Sequence, residues 1–223
     1  MTQGPRTVIF DLDGTLADTS GDLLAAVNGC FRELGLGDLL DDSDAGVALK
    51  GGRAMLALGL SRAGIDDDAE IERQYPRLLR RYADAICHHT RLYPGAVTAL
   101  QHLRAAGYRT GICTNKPEGL SEILLDKLGV RDLFDSLVGA DTLPVRKPDP
   151  LPFHEAVMRA GGIGSRACLV GDSDTDHRTA RAAGVPSILV AFGPSGEDMA
   201  ALQPEVLLGS FEDLPGVVDN LNL

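Results

Sequence analysis

Two aspartates spaced by two residues, Asp11 and Asp13, directly follow the short apolar run Thr7–Phe10. In extended backbone, alternate side chains point the same way, so both carboxylates would face one site. Gly14 comes next and would let the chain turn sharply away from the strand. Such a strand end also fits a simple polar turn, in which Asp and Gly are common, so the pair needs support from the rest of the chain.

Three further polar segments lie where a predicted strand ends or a predicted helix begins: Thr114–Pro117, Lys147–Pro150 and Gly171–Asp176. If all of these segments converge, one pocket holds carboxylates, a hydroxyl and a lysine, contributed by Asp11, Asp13, Asp172, Asp176, Thr114 and Lys147. Two like charges 4 Å apart cost about 4 kcal/mol even at an effective dielectric near 20, so clustered carboxylates require a cation. Oxygen ligands in small number suit Mg²⁺, which keeps waters and shares the phosphate oxygens of a substrate.

Each of these segments also has a simpler interpretation. Thr114 and Asn115 could cap the helix that follows them, and Lys147 could be a solvated loop lysine. Asp172 and Asp176 could offset the dipole of a helix. The occurrence of four such segments in chain order favours a common site.

Short β-rich runs alternate with helical patterns from about Leu92 onward, which predicts a parallel sheet with helices on both faces. The predicted strands are 7–11, 108–114, 136–139, 167–171 and 186–190, and the predicted helices are 94–106, 118–128, 152–160 and 174–183. Glycines suited to a left-handed cap follow these helices, namely Gly107, Gly129, Gly161 and Gly184. Ligands of open α/β sheets bind beyond the carboxyl ends of the strands, and the acidic segments fall there.

A segment with helical spacing and no strand pattern, residues 18–89, separates the first strand from the rest. Its apolar residues predict helices around Leu23–Leu34, Met55–Leu60 and Ile71–Ile86, the third disturbed at Pro76. We therefore expect an α/β protein. A Rossmann-like parallel-sheet core, residues 1–17 and 90–223, would be the catalytic domain, and residues 18–89 would be an inserted all-helical cap domain that looks like a lid.

The composition excludes several other classes. The 223 residues include 21 Lys and Arg against 32 Asp and Glu, and the net charge of −11 argues against sequence-independent nucleic-acid binding. No apolar run approaches the roughly 20 residues of a membrane span, and the N-terminal run is interrupted by Asp11 too soon for a signal peptide. Four widely spaced cysteines indicate reduced thiols. We expect a cytoplasmic protein, monomeric or homodimeric, with no nucleic-acid or membrane partner.

The ordered segments resemble the four motifs of the haloacid dehalogenase-like superfamily, and the resemblance spans nearly the whole chain. The first motif, Asp-x-Asp-x-Thr, is Asp11–Thr15, and the second, a Ser or Thr at a strand end, is Thr114. The third motif, a lysine, is Lys147, and the fourth, an acidic pair, is Asp172 with Asp176. The insert is similar to the helical cap of that family.

Within the superfamily, the second, third and fourth motifs are most similar to those of the phosphoglycolate phosphatase group. That group usually carries Gly-x-Gly in the cap. This chain reads Lys-Gly-Gly-Arg over residues 50–53, so Lys50 stands in place of the first glycine. The resemblance implies an Mg²⁺-dependent phosphatase of carbohydrate metabolism that acts on a small phosphate ester, with 2-phosphoglycolate, hydrolysed to glycolate and phosphate, as the best match.

Other activities fit the same scaffold: a pyrophosphatase, a nucleotidase, a sugar-phosphate phosphatase or, less well, a β-phosphoglucomutase-like isomerase. A signalling module phosphorylated by a partner kinase is an alternative from another class. The long helical insert, and Asp13 in the place of an acid/base, argue against that module.

The resemblance also implies a role for each matched residue. Asp11 would attack phosphorus and form an aspartyl-phosphate, while Asp13 would protonate the leaving group and then deprotonate the attacking water. Mg²⁺ would be held by Asp11, the backbone carbonyl of Asp13, and Asp172. Substrate would be bound by Thr114, Asn115, Lys147, Gly52 and Arg53, with support from Gly14, Thr15, Gly171, Ser173 and Asp176.

Overall fold

The sheet contains six parallel strands in the order β5-β4-β1-β6-β7-β8, in a computed structural model that describes residues 4–193, 196–221 and 223. A separate pair, β2 and β3, forms a two-stranded sheet. The strands are β1 (Thr7–Phe10), β2 (Ala17–Asp18), β3 (Arg91–Leu92), β4 (Arg109–Cys113), β5 (Ser136–Val138), β6 (Ala167–Gly171), β7 (Ser187–Val190) and β8 (Val206–Leu208).

Among the α-helices of the described residues, α1 to α4 follow one another in the segment between β2 and β3, whereas α5 to α8 alternate with the strands of the large sheet, as the sequence predicts. They are α1 (Ser20–Glu33), α2 (Ala45–Ala48), α3 (Gly52–Arg62), α4 (Asp68–Ala85), α5 (Ala96–Ala105), α6 (Glu118–Lys127), α7 (Leu151–Arg159), α8 (Asp174–Ala183) and α9 (Leu214–Asn220). The glycines after α5, α6, α7 and α8 all have positive φ, between 69° and 84°. The predicted fold class, a parallel α/β sheet with flanking helices, is confirmed.

Contacts divide the chain into two units. The core unit comprises Met1–Ala17 and Leu92–Leu223, and the helical unit comprises Asp18–Arg91. Within the described residues, no helix is both long and apolar enough to cross a membrane. All four cysteines are free thiols.

Strand β1 lies in the middle of the core unit, between β4 and β6. All four of its residues are fully buried, as expected for a parallel strand covered on both faces. One face packs Ile9 and its neighbours on β4 and β6 against Phe153 and Val157 of α7. The carboxyl ends of these three strands therefore meet at one edge, held by a well-packed core.

The helical unit is built from α1 to α4, with α4 contacting both α1 and α3. The sequence predicts a third helix disturbed at Pro76, but α4 is one helix of 18 residues that runs through this proline. Its buried residues, Gln74, Leu78 and Tyr82, recur every four positions on the face that packs inward. This packing holds the helix together across the backbone hydrogen bond that Pro76 cannot donate.

Gly59 of α3 lets that helix approach α1 closely. A Cβ at this position would lie 2.1 and 2.4 Å from two atoms of the Phe31 ring, which is fully buried. We expect Gly59→Ala to destabilise the protein by about 1–3 kcal/mol, because the ring must shift in a packed core. Gly46→Ala is the matched control, since nothing lies within 4 Å of the added methyl on α2. Urea denaturation checks both, and equal midpoints for the two variants would contradict the packing argument.

Candidate active site

Four polar segments follow neighbouring strands at the carboxyl edge of the sheet. Asp11 follows β1, Thr114 follows β4, and Asp172 follows β6. Lys147 lies in the connection between β5 and α7. Because β5, β4, β1 and β6 are adjacent in the sheet, their ends bring these side chains together.

Asp11 is the point at which these segments meet. Its Oδ2 lies 3.0 Å from the Lys147 ammonium, its Oδ1 accepts a 2.7 Å hydrogen bond from the Leu12 N–H, and the Thr114 hydroxyl donates to the same carboxylate. Burial raises the pKa of the Asp11 carboxyl to about 6; Lys147 opposes that rise and Asp176 adds to it. A carboxylate held on three sides, with little room to rotate, suits a nucleophile.

Lys147 is fixed by two carboxylates. Its Nζ lies 2.6 Å from Asp176 and 3.0 Å from Asp11, and its side chain is 1% exposed. Burial disfavours the ammonium, but Asp11 and Asp176 outweigh burial and raise the pKa of Lys147 above its usual value. The lysine is therefore charged, and its ammonium lies where a phosphoryl oxygen beside Asp11 would need a cation.

Asp176 serves mainly to position other groups. One of its oxygens holds Lys147, and the other accepts hydrogen bonds from the Asp172 N–H at 3.3 Å and the Ser173 hydroxyl at 2.5 Å. It closes a capping box at the start of α8 with Ser173. A Cβ at Gly171 would lie 2.3–2.6 Å from the Asp176 side chain, so a glycine is required there for this approach.

Asp172 is 4% exposed, and one of its carboxylate oxygens lies within 4.8 Å of an Asp11 oxygen. Its Oδ1 accepts a 2.7 Å hydrogen bond from the Thr15 hydroxyl, which comes from the turn that begins at Gly14 (φ 80°). Burial, together with the charges of Asp176 and Asp11, raises the pKa of Asp172 well above its usual range.

The donor set fits a divalent cation. Carboxylate oxygens of Asp11, Asp172 and Asp176 lie within 4.8 Å of one another, and the Lys147 ammonium contacts Asp11 and Asp176. Burial is the main cause of the raised pKa values of Asp11 and Asp172, and the charge of Asp176 adds to both. Hard oxygen ligands of this kind are those that Mg²⁺ prefers.

Asp13 carries a partner that the motif pattern does not reveal. Its two carboxylate oxygens lie 2.9 and 3.2 Å from the Lys116 ammonium, and the lysine side chain is 4% exposed. Because Lys116 follows Thr114 by two residues, its contact with Asp13 depends on the pairing of β1 with β4.

Asn115 contacts the loop that carries Lys147. Its side-chain amide donates a 3.0 Å hydrogen bond to the backbone carbonyl of Lys147. The side chain therefore ties two loops together beside the site, and direct substrate contact by Asn115 stays a prediction.

Gly52 and Arg53 belong to the helical unit and begin α3 after Gly51, whose φ is 102°. The Arg53 guanidinium makes two hydrogen bonds to Glu72, at 2.6 and 2.9 Å, and lies 3.7 Å above the centre of the Tyr75 ring. These contacts hold Arg53 in one orientation, with 46% of its side chain exposed.

Residues 8–190 match the family model of haloacid dehalogenase-like hydrolases, which covers all the segments of the core cluster. This chain belongs to the haloacid dehalogenase-like hydrolase family. The sequence-based assignment to that superfamily is thereby confirmed.

Two proteins named phosphoglycolate phosphatase and one solved structure are similar to this chain over most of its length. The chain is 40% identical over 215 residues to the phosphoglycolate phosphatase of Rhodospirillum rubrum, covering 94% of this chain and 89% of that one. It is 40% identical over 206 residues to the phosphoglycolate phosphatase of Xanthomonas campestris, covering 92% of each chain. The crystal structure of CbbY from Rhodobacter sphaeroides in complex with phosphate aligns with a TM-score of 0.77 at 26% identity, covering 94% and 96% of the two chains.

Proposed function

We propose that this chain is a phosphatase that hydrolyses 2-phosphoglycolate to glycolate and phosphate. The observation that carries the chemistry is the placement of Asp11 at the end of a central strand, against Thr114 and Lys147, with a second aspartate two residues later. The relatives named above support the substrate, and the CbbY complex supports a phosphate site on this scaffold.

In this proposal, Asp11 is the nucleophile. Its free electron pair attacks phosphorus, the bond to the leaving oxygen breaks, and an aspartyl-phosphate forms. Thr114 and Lys147 hold the transferring oxygens from two sides, where their positive charge or hydroxyl hydrogen stabilises the charge that develops.

Asp13 is the acid and base of the same scheme. It gives a proton to the leaving alkoxide in the first step. In the second step it takes a proton from water, whose oxygen attacks phosphorus as the bond to Asp11 breaks, so that phosphate is released and both aspartates end the cycle as they began. Lys116 keeps the Asp13 carboxylate at one place beside the site.

Asp11, the backbone carbonyl of Asp13, and Asp172 would hold Mg²⁺. Bound Mg²⁺ supplies charge neutralisation, which lowers the repulsion between the Asp11 carboxylate and a phosphate dianion. Asp176 lies in the same acidic cluster, but its oxygens already accept from Lys147 and from Ser173. It therefore orients the lysine and the start of α8.

Selection of the small acid would fall to the helical unit in this proposal. Gly52 lets backbone approach the substrate, and Arg53 would pair with a carboxylate by a charge-assisted hydrogen bond. Arg53 is already bound to Glu72, so it could offer its remaining donors in a fixed direction.

The cytoplasmic location and the monomeric or homodimeric state stay predictions.

A screen of small phosphate esters tests the proposed function. We expect phosphate release from 2-phosphoglycolate in Mg²⁺ with kcat/KM at least about tenfold above that for sugar phosphates, nucleoside monophosphates and pyrophosphate, because one charge-assisted hydrogen bond is worth roughly 1.5–3 kcal/mol. Phosphate release from only one of the other compounds would show that the substrate is a different one, while the chain would still be a phosphatase. A single phosphorylation by acetyl phosphate without turnover would instead indicate a signalling module.

The same assay tests the cation. EDTA should stop turnover, Mg²⁺ should restore it and Ca²⁺ should not, because Ca²⁺ requires more ligands at longer distances than this cluster offers. Full activity with Ca²⁺, or in the presence of EDTA, would contradict the assignment of Asp11 and Asp172 as magnesium ligands.

A further inference from the structure

Lys147 and Thr114 hold Asp11 from two different loops. Thr114 belongs to the β4 loop, residues 114–117, and Lys147 belongs to the β5 loop, residues 139–150. Both contacts converge on one carboxylate, so their relative placement depends on what fixes one loop against the other.

Two hydrogen bonds join the loops next to the site. The Asn115 amide donates to the Lys147 carbonyl at 3.0 Å, and the Ala140 N–H donates to the Lys116 carbonyl at 2.9 Å. These bonds fix both ends of the β5 loop to the β4 loop.

A second set of bonds lies where the β5 loop meets the first residue of α6, Glu118. The Thr142 hydroxyl donates to the Glu118 carboxylate at 2.6 Å and accepts from the Gly139 N–H at 2.8 Å. The Glu118 N–H donates to Asp141 at 2.8 Å. The Thr142 hydroxyl therefore donates to Glu118 at the start of α6 and accepts from Gly139 in the β5 loop. These two bonds fix the orientation of the hydroxyl.

The close approach of the two segments depends on Gly139. A Cβ at this position would lie 2.4 Å from the backbone nitrogen of Glu118 and 2.6 Å from its Cα. These are backbone atoms, which cannot rotate away as a flexible side chain can. Any larger residue would push the β5 loop away from the start of α6.

We propose that Gly139, Asp141, Thr142 and Glu118 form a clamp that sets the position of Lys147 relative to Thr114 and Asp11. This inference rests on the proposed function. The clamp residues are positioning residues that act through Lys147. A displacement of about 1 Å in a reacting group can cost on the order of a hundredfold in rate, so such a clamp affects the transition state more than substrate binding.

Thr142→Val tests the clamp, because valine keeps the shape and removes the hydroxyl. We expect kcat on 2-phosphoglycolate to fall about 10- to 100-fold with KM changed less than threefold, and amide exchange at Ala140 to become faster. Thr142→Ser retains the hydroxyl and should restore kcat to within threefold of wild type. Unchanged kcat in Thr142→Val, a fall carried by KM alone, or failure of serine to restore kcat would each overturn the proposal.

Gly139→Ala provides a second, independent disturbance. Its control is Gly119→Ala, on the neighbouring residue of α6, where nothing lies within 4 Å of the added methyl. We expect Gly139→Ala to reproduce the kcat loss of Thr142→Val, and Gly119→Ala to match wild type. If Gly139→Ala does not fold, Thr142→Val and Thr142→Ser decide the question. If the wild-type protein releases no phosphate from any ester, the proposed function fails, whereas the exchange rate at Ala140 still decides whether the clamp exists.

Discussion

Asp11→Asn is expected to lower kcat by at least about a thousandfold, or about 4 kcal/mol in the barrier at 1.36 kcal/mol per factor of ten. An amide cannot attack phosphorus at a useful rate, and it is a poor ligand for Mg²⁺. The remaining contacts survive the change: the Leu12 N–H keeps an acceptor, and Lys147 keeps Asp176.

The unfolding midpoint of Asp11→Asn, measured together with its activity, distinguishes loss of the nucleophile from loss of the fold. Burial and Asp176 disfavour the charge on Asp11, so removing that charge should leave the unfolding midpoint near that of wild type. Asp174→Asn is the matched control, because Asp174 is exposed and pairs with Arg178 at 3.6 Å on the surface of α8. Turnover by Asp11→Asn within tenfold of wild type would exclude Asp11 as the nucleophile.

The strands and helices of the core unit can be predicted from the sequence because the local pattern of each segment agrees with the structure that it forms. Short apolar runs such as Ala167–Gly171 are buried as parallel strands, and the helices between them end at glycines in left-handed conformation. The polar residues after each run fall at one edge because parallel strands share their direction. Asp11, Thr114, Lys147 and Asp172 meet there, as their order in the chain suggests.

Contacts between distant segments were beyond the reach of sequence patterns. Lys116 binds Asp13 across 103 positions, and Thr142 binds Glu118 across 24. Neither pair has a spacing that predicts contact, since the strand order alone brings them together. A signal did exist for the clamp in the small residue Gly139, which directly follows a buried strand end.

Three other features were missed, for different reasons. Strand β8 is three residues long with Leu207 partly exposed at the sheet edge, and α9 has only seven residues, so neither presents a clear periodic pattern. Arg53 looks free in sequence, but Glu72 and Tyr75 of α4 bind it, which depends on how α3 packs against α4.

Asp13→Asn is expected to separate the two half-reactions. With p-nitrophenyl phosphate the leaving group departs without an acid, so the aspartyl-phosphate should still form on Asp11. The amide cannot take a proton from water, so release of phosphate should slow by about 10²- to 10⁴-fold, the usual contribution of general acid–base catalysis. With 2-phosphoglycolate, whose leaving alkoxide needs a proton, both steps should slow.

Rapid mixing followed by acid quench measures this separation. We expect a burst of p-nitrophenol close to one equivalent per active site, with matching covalent phosphate, followed by slow turnover. The double variant Asp11→Asn with Asp13→Asn is the control, and it should show neither burst nor label because the nucleophile is gone. Steady release of p-nitrophenol at the wild-type rate, without a burst, would mean that another group activates the water. In that case Asp13 would not be the catalytic base. The contact of the buried Lys116 ammonium with Asp13, at 2.9 Å, would then have a role other than holding a base in place.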